Sequence, residues 1–149
     1  MGLKSLTAEL GKKKKIMIDT NVVIYFLEGN EVWGDFSKEV FSIIEKGVAE
    51  GFISVITVAE VLVKPMKLGN NLLIDKIIRF LDTFPNLRVV AIDQSIAMEA
   101  AKIRSKTGLK MPDALIISSA KVLGCVVVGT DNQWNNKDLG VEFYNINRF

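Results

Sequence analysis

The chain has 149 residues, nearly half of them hydrophobic, and 19 Lys and Arg against 17 Asp and Glu leave a net charge of +2. That suits one domain over residues 1–149 with a single sizeable core, and the charge alone announces no nucleic-acid partner. The lack of histidine excludes Ser-His-Asp and Cys-His catalysis and most zinc sites, so a metal here must be a hard cation bound by oxygen.

Met1 to Gly11 reads as a loose arm or a surface helix of uncertain register. Lys12-Lys13-Lys14-Lys15 is either a solvated lead-in to the first strand or a phosphate-attracting patch beside the site. Ile16 to Ile18 is a short, continuously apolar strand, as expected for a central parallel strand covered on both faces. Val22 to Leu27 is too rich in β-branched residues to assign by propensity, although Asp19 or Thr20 suits a helix cap and Gly29-Asn30 a helix end. Phe36 to Val48 has helical spacing, with Phe36, Val40, Phe41, Ile43, Ile44 and Val48 apolar. Phe52 to Val55 is a second strand, Thr57 to Lys67 a helix with Pro65 near its end, and Leu72 to Phe84 another helix.

Leu87 to Ile92 is a third strand. Asp93 caps a helix through about Lys106, with Ile96, Ala97, Ala100, Ala101 and Ile103 inward. Pro112 suits the first turn of the next helix, which runs to Leu123 and stops at Gly124. Cys125 to Val128 is the fourth strand, with Cys125 a small buried hydrophobe, and Val141 to Ile146 a fifth. Strands alternating with helices imply a three-layer α/β/α fold around a central, mainly parallel sheet of four or five strands. Ligands of such sheets bind beyond the carboxyl ends of the strands. No apolar run is long enough to span a bilayer, and no signal peptide is evident, so the expected location is cytoplasmic, without a membrane partner.

Four acidic residues stand out, and each has an ordinary explanation. Asp19 suits a helix cap, and Glu60 stands three residues after Thr57, the spacing of a capping box. Asp113 favours the dipole of a first helical turn, and Asp131 follows Thr130 where an Asx-turn is natural. Their surroundings shift the balance. Glu60 and Asp113 lie in apolar stretches where a lone carboxylate is costly to ionise. Clustered at one sheet edge, such groups repel, by on the order of 4 kcal/mol for a pair about 4 Å apart at an effective dielectric near 20. A cation, or protonation of some members, makes the cluster tolerable.

Four segments carry a specific resemblance: Ile16-Met17-Ile18-Asp19-Thr20-Asn21, Ile53-Ser54-Val55-Ile56-Thr57-Val58-Ala59-Glu60, Met111-Pro112-Asp113-Ala114-Leu115-Ile116 and Val126-Val127-Val128-Gly129-Thr130-Asp131-Asn132. Their order and spacing resemble the PIN-domain ribonucleases, in particular the single-domain VapC-type toxins of toxin–antitoxin pairs, over roughly residues 14 to 147. The resemblance implies a PIN-like fold and an endoribonuclease using Mg²⁺ or Mn²⁺, with Asp19, Glu60, Asp113 and Asp131 as metal ligands and catalytic groups. Thr20, Asn21, Thr130 and Asn132 would orient the carboxylates or water. Family members often read Thr-Asn-Asp after the last core strand where this chain reads Thr130-Asp131-Asn132, so either Asp131 or Asn132 can face the metal. Residues 1–13 precede the family's usual start and stand as an N-terminal extension.

The same resemblance implies an RNA substrate, a homodimer and an antitoxin protein that blocks the acidic cleft. The apolar residues of Val22 to Leu27 and Leu72 to Leu81 exceed one core's needs and offer an interface. Lys12 to Lys15, Arg104 and Lys110 are candidate phosphate contacts, and Trp134 either stacks on a base or packs in the core. The alternative function is a PIN-like module that binds RNA or protein without cutting. A phospho-receiver domain wants an acidic pair after its first strand, and an Asp-nucleophile phosphatase wants a second acid where Asn21 stands.

Overall fold

The computed structural model describes residues 2–134 and 139–148. Its strands are β1 (Lys15–Ile18), β2 (Glu50–Ser54), β3 (Leu87–Val90), β4 (Val126–Gly129) and β5 (Phe143–Asn145). They form one sheet in the order β3-β2-β1-β4-β5, and every neighbouring pair is parallel. The helices are α1 (Leu3–Leu10), α2 (Thr20–Glu28), α3 (Gly34–Glu45), α4 (Val55–Lys67), α5 (Asn71–Thr83), α6 (Gln94–Thr107) and α7 (Met111–Leu123). This is the expected α/β/α arrangement.

Side chains along a strand alternate between faces, and both faces of this sheet are covered. Ile16 and Ile18 of β1, Ile53 of β2 and Val128 of β4 join the core beneath α1 to α5. Met17, Phe52 and Val127 join the core beneath α6 and α7. Helix α3 rides so close over β2 that a Cβ on Gly51 would stand 2.6 Å from Ile44 Cδ1.

Several local expectations change. The arm before Lys12 is helix α1, and its four-residue spacing drives Leu6 and Leu10 fully into the core beside α3. The β-branched stretch after Asp19 is helix α2, closed by Gly29 in the left-handed conformation at φ 66°. Packing decides its conformation, because Val22 and Val23 are fully buried. Helix α4 starts two residues before Thr57, at Val55, with Ser54 Oγ accepting the Ile56 amide at 3.2 Å. Ile96, Ala100 and Ile103 form the inward stripe of α6, whereas Ala97 and Ala101 lie one step round the helix and are exposed, as is Val48 beyond α3. Among the described residues, no helix is long and apolar enough to cross a membrane.

The topology positions a site. The chain moves outward from β1 to β2 and β3, then returns to lay β4 and β5 on the other side of β1. Crossovers therefore diverge between β1 and β4, and a crevice opens beyond their carboxyl ends. Asp19 directly follows β1, and Thr130-Asp131 follows β4.

Candidate metal centre

Asp19 is the deepest acidic group, only 4 % exposed. Its amide donates to the Val128 carbonyl at 2.9 Å, which extends the β1–β4 ladder to the strand end. Its own carbonyl then accepts the Val22 and Val23 amides and starts α2. The side chain makes no capping hydrogen bond, so the ordinary cap explanation fails here. The carboxylate fits because Gly129 has no side chain: a Cβ there would stand 3.3 Å from Asp19 Cβ and 3.0 Å from Phe143 Cε1.

Glu60 reaches the same crevice from α4. The capping-box explanation fails as well, since Ser54 holds the cap and Thr57 lies inside the helix. Instead Thr20 Oγ1 donates to Glu60 Oε1 at 2.8 Å and lies 2.9 Å from the buried Thr57 Oγ1. One hydroxyl carries one proton. With Thr20 donating to Glu60, Thr57 donates to Thr20, and the chain of hydroxyls points its last proton at the carboxylate.

Asp113 stands in the first turn of α7, where Pro112 suits the missing amide partner and the negative charge suits the helix dipole. Asp131 forms the expected Asx-turn, its Oδ1 accepting the Gln133 amide at 2.8 Å. Asn132 is engaged with β5, its Oδ1 accepting from Asn145 Nδ2 at 2.9 Å. Asn147 Nδ2 donates to the Thr130 carbonyl, and Asn21 Nδ2 reaches Thr130 Oγ1 only at 3.5 Å.

The four acids act on one another. Burial first, then Asp113, with Glu60 and Asp131 adding to it, pushes the Asp19 carboxyl up to about 7, against an opposing pull from the Thr20 amide. Asp113 is also raised, by burial and by Asp131 and Glu60, while the Trp134 indole and Lys110 pull it down. Such repulsion around one buried carboxylate is the electrostatic signature of a functional site, although Glu60 itself is exposed and Asp113 and Asp131 are half-buried. Among the described residues, no three of the acids already form a group able to hold a metal ion. The donor set is all carboxylate oxygen, the chemistry of a hard divalent cation.

Other candidates lie elsewhere. Lys12 to Lys15 sit at the amino-terminal edge of the sheet, about a strand's length from the acids, lining an open hollow with Leu123 and Gly124. There Lys13 pairs with Glu142 at 3.0 Å, and Lys15 Nζ donates to the Leu123 carbonyl at 3.3 Å. Arg104 donates to the Leu109 carbonyl at 2.7 Å and serves the turn before α7. Of the proposed phosphate contacts only Lys110, which precedes α7, acts on an acid of the site. Trp134 is 1 % exposed, so base stacking is replaced by packing against Phe143. Burial pushes the Cys125 thiol up to about 11, as fits a buried hydrophobe. Two site features were missed from the sequence: the Thr57 hydroxyl as partner of Thr20, and Gly129 as the space beside Asp19. A short β-strand ending in glycine before a polar turn was the one available signal.

A search of curated protein sequences finds no match. Solved structures of similar fold do exist. DNA-bound VapBC from Salmonella typhimurium superposes with a TM-score of 0.73 at 21 % identity, covering 89 % of this chain and 98 % of the other. FitAcB from Neisseria gonorrhoeae gives 0.70 at 23 % identity, covering 90 % and 99 %. VapBC2 from Rickettsia felis, bound to a promoter DNA fragment, gives 0.68 at 18 % identity, covering 88 % and 98 %. The PIN domain family model matches residues 16–138, from β1 through the turn after β4 and most of the chain's length, and the protein belongs to the PIN domain family.

Proposed function

We propose that this protein is a divalent-metal-dependent endoribonuclease and the toxin of a toxin–antitoxin pair, with Asp19, Glu60, Asp113 and Asp131 holding Mg²⁺ or Mn²⁺. The observation that supports it is a buried Asp19, at the switch point of a PIN fold, whose carboxyl feels the charges of Asp113, Glu60 and Asp131. The structures it resembles include toxin–antitoxin complexes, which supports the second part. A bound divalent ion would supply Lewis-acid stabilisation of the phosphoryl oxygens and acidify an attacking water.

The chain's own residues do the rest. Asp19 is fixed by its strand and by Gly129. Asp113 and Asp131 are only partly buried and can rotate toward it. The Thr57–Thr20 hydroxyls hold Glu60, an exposed residue, by one oxygen and leave the other without a protein donor among the bonds described. Lys110 supplies a positive charge at the mouth for the RNA backbone. The absence of histidine leaves proton removal to water or a carboxylate.

The partners follow the same reading: RNA as substrate, a second copy of the chain, and an antitoxin that closes the cleft. The test is purified protein with single-stranded RNA in Mg²⁺ or Mn²⁺, then with chelator. Cleavage that stops on chelation and resumes on adding metal is expected. Chelator-resistant cleavage would refute the mechanism, and RNA binding without turnover in every divalent metal would favour a binding module.

A further inference from the structure

Trp134 ends the turn that carries Asp131, and its amide donates to the Asp131 carbonyl at 3.2 Å. Its ring lies 5.3 Å from that of Phe143 and joins the same buried cluster as Ala114, the residue after Asp113. The indole Nε1 is wholly buried and meets no acceptor in ordinary hydrogen-bonding geometry. An orphaned buried donor of this kind is costly unless some state of the molecule satisfies it. The polar group that feels this donor is the Asp113 carboxylate, which the indole pulls toward its charged form. The buried indole therefore sits beside the turn that carries Asp131, at the carboxyl end of β4.

We propose that Trp134 is a positioning residue: its buried indole N–H closes on one oxygen of the Asp113 carboxylate and turns the other toward the divalent ion. This rests on the reading of Asp113 as a metal ligand. The pair is loose in the structure described here and tightens when Asp113 swings to bind. Trp134 thereby couples two of the acids, since its backbone braces the Asp131 turn while its side chain orients Asp113. Phenylalanine at this position would keep most of the packing and lose the orientation.

The test uses ¹⁵N-labelled protein carrying Trp33→Phe, which leaves Trp134 as the sole source of an indole N–H resonance. Mg²⁺ is titrated by NMR and in parallel by calorimetry. The Trp134 resonance should move and saturate with the calorimetric curve. Trp134→Phe should weaken Mg²⁺ binding about tenfold or more, the usual loss when a ligand's hydrogen-bond partner is removed. Replacement of Trp134 by β-(3-benzothienyl)alanine, which keeps the two-ring shape without the N–H, should weaken it equally at a nearly unchanged melting temperature. The proposal is overturned if the benzothienyl variant binds Mg²⁺ like the parent. It is also overturned if calorimetry shows saturable binding while the indole resonance stays still. No saturable heat in the parent would defeat the metal-site reading, and this proposal with it.

Discussion

At Asp19 a carboxylate sits 4 % exposed with its pKa pushed up to about 7, first by burial and then by its acidic neighbours. The metal-free folded protein therefore keeps a proton that the unfolded chain releases near pH 4. Stability falls as pH rises from about 4 through about 7, by up to on the order of 4 kcal/mol. Asp19→Asn removes that slope and, without metal, should melt at or above the parent's temperature at pH 8, converging with it near pH 4. Parallel melting profiles of the two proteins in chelator would contradict this. Thr20→Val tests the hydroxyl chain: it keeps the shape, removes the donor that orients Glu60, and should cut cleavage and weaken metal binding about tenfold. An unchanged titration would show that Glu60 needs no such support. Gly129→Ala places a methyl 3.3 Å from Asp19 Cβ, and should lower Mg²⁺ affinity more than it lowers melting temperature. The acids stood out because carboxylates in apolar stretches are conspicuous, but the apolar setting misled for Glu60, which lies exposed on α4 because its neighbours' side chains point to other faces of the helix. Thr57 and Gly129 were not legible, since their roles depend on contacts between segments far apart in the chain.

Among the elements, the strands were the most legible. Ile16 to Ile18 and Cys125 to Val128 are continuous apolar runs, and buried parallel strands demand that. Helix α2 was illegible because Val22, Val23 and Ile24 favour strands locally, and only burial against α3 makes the helix. Helix α1 was ambiguous for a related reason: eight residues are too few to be helical alone. It holds because Leu6 and Leu10 fill the core beside α3, before the region that the family model matches. Leu6→Ala or Leu10→Ala should each cost about 2–5 kcal/mol, measured by chemical denaturation. A loss below about 1 kcal/mol in both would mean the extension is dispensable to the fold.

For the whole molecule, the two poles of the sheet differ in chemistry. Carboxylates gather at the carboxyl ends of the strands, and Lys12 to Lys15 at the amino ends. Of the two readings of the lysine run, a solvated lead-in to β1 fits and a patch beside the site does not, since one strand's length of sheet separates the two. Val22 and Val23, thought available for an interface, are spent in the core, while Leu68 and Leu72 are 70 % and 85 % exposed on the α4–α5 side. Next to them Leu27, Leu73 and Ile77 line a groove of about 200 Å³ that reaches Glu60. A homodimer through this side should become monomeric on Leu72→Glu, read by sedimentation, and an unchanged dimer would place the interface elsewhere. The central claim is that the four acids hold a catalytic metal, and anomalous diffraction from crystals soaked in Mn²⁺ tests it most directly. A manganese peak is expected at about 2.1 Å from carboxylate oxygens of Asp19 and Asp113, with Asp131 and Glu60 facing it. Manganese bound only away from Asp19, or none at saturating concentration, would contradict it.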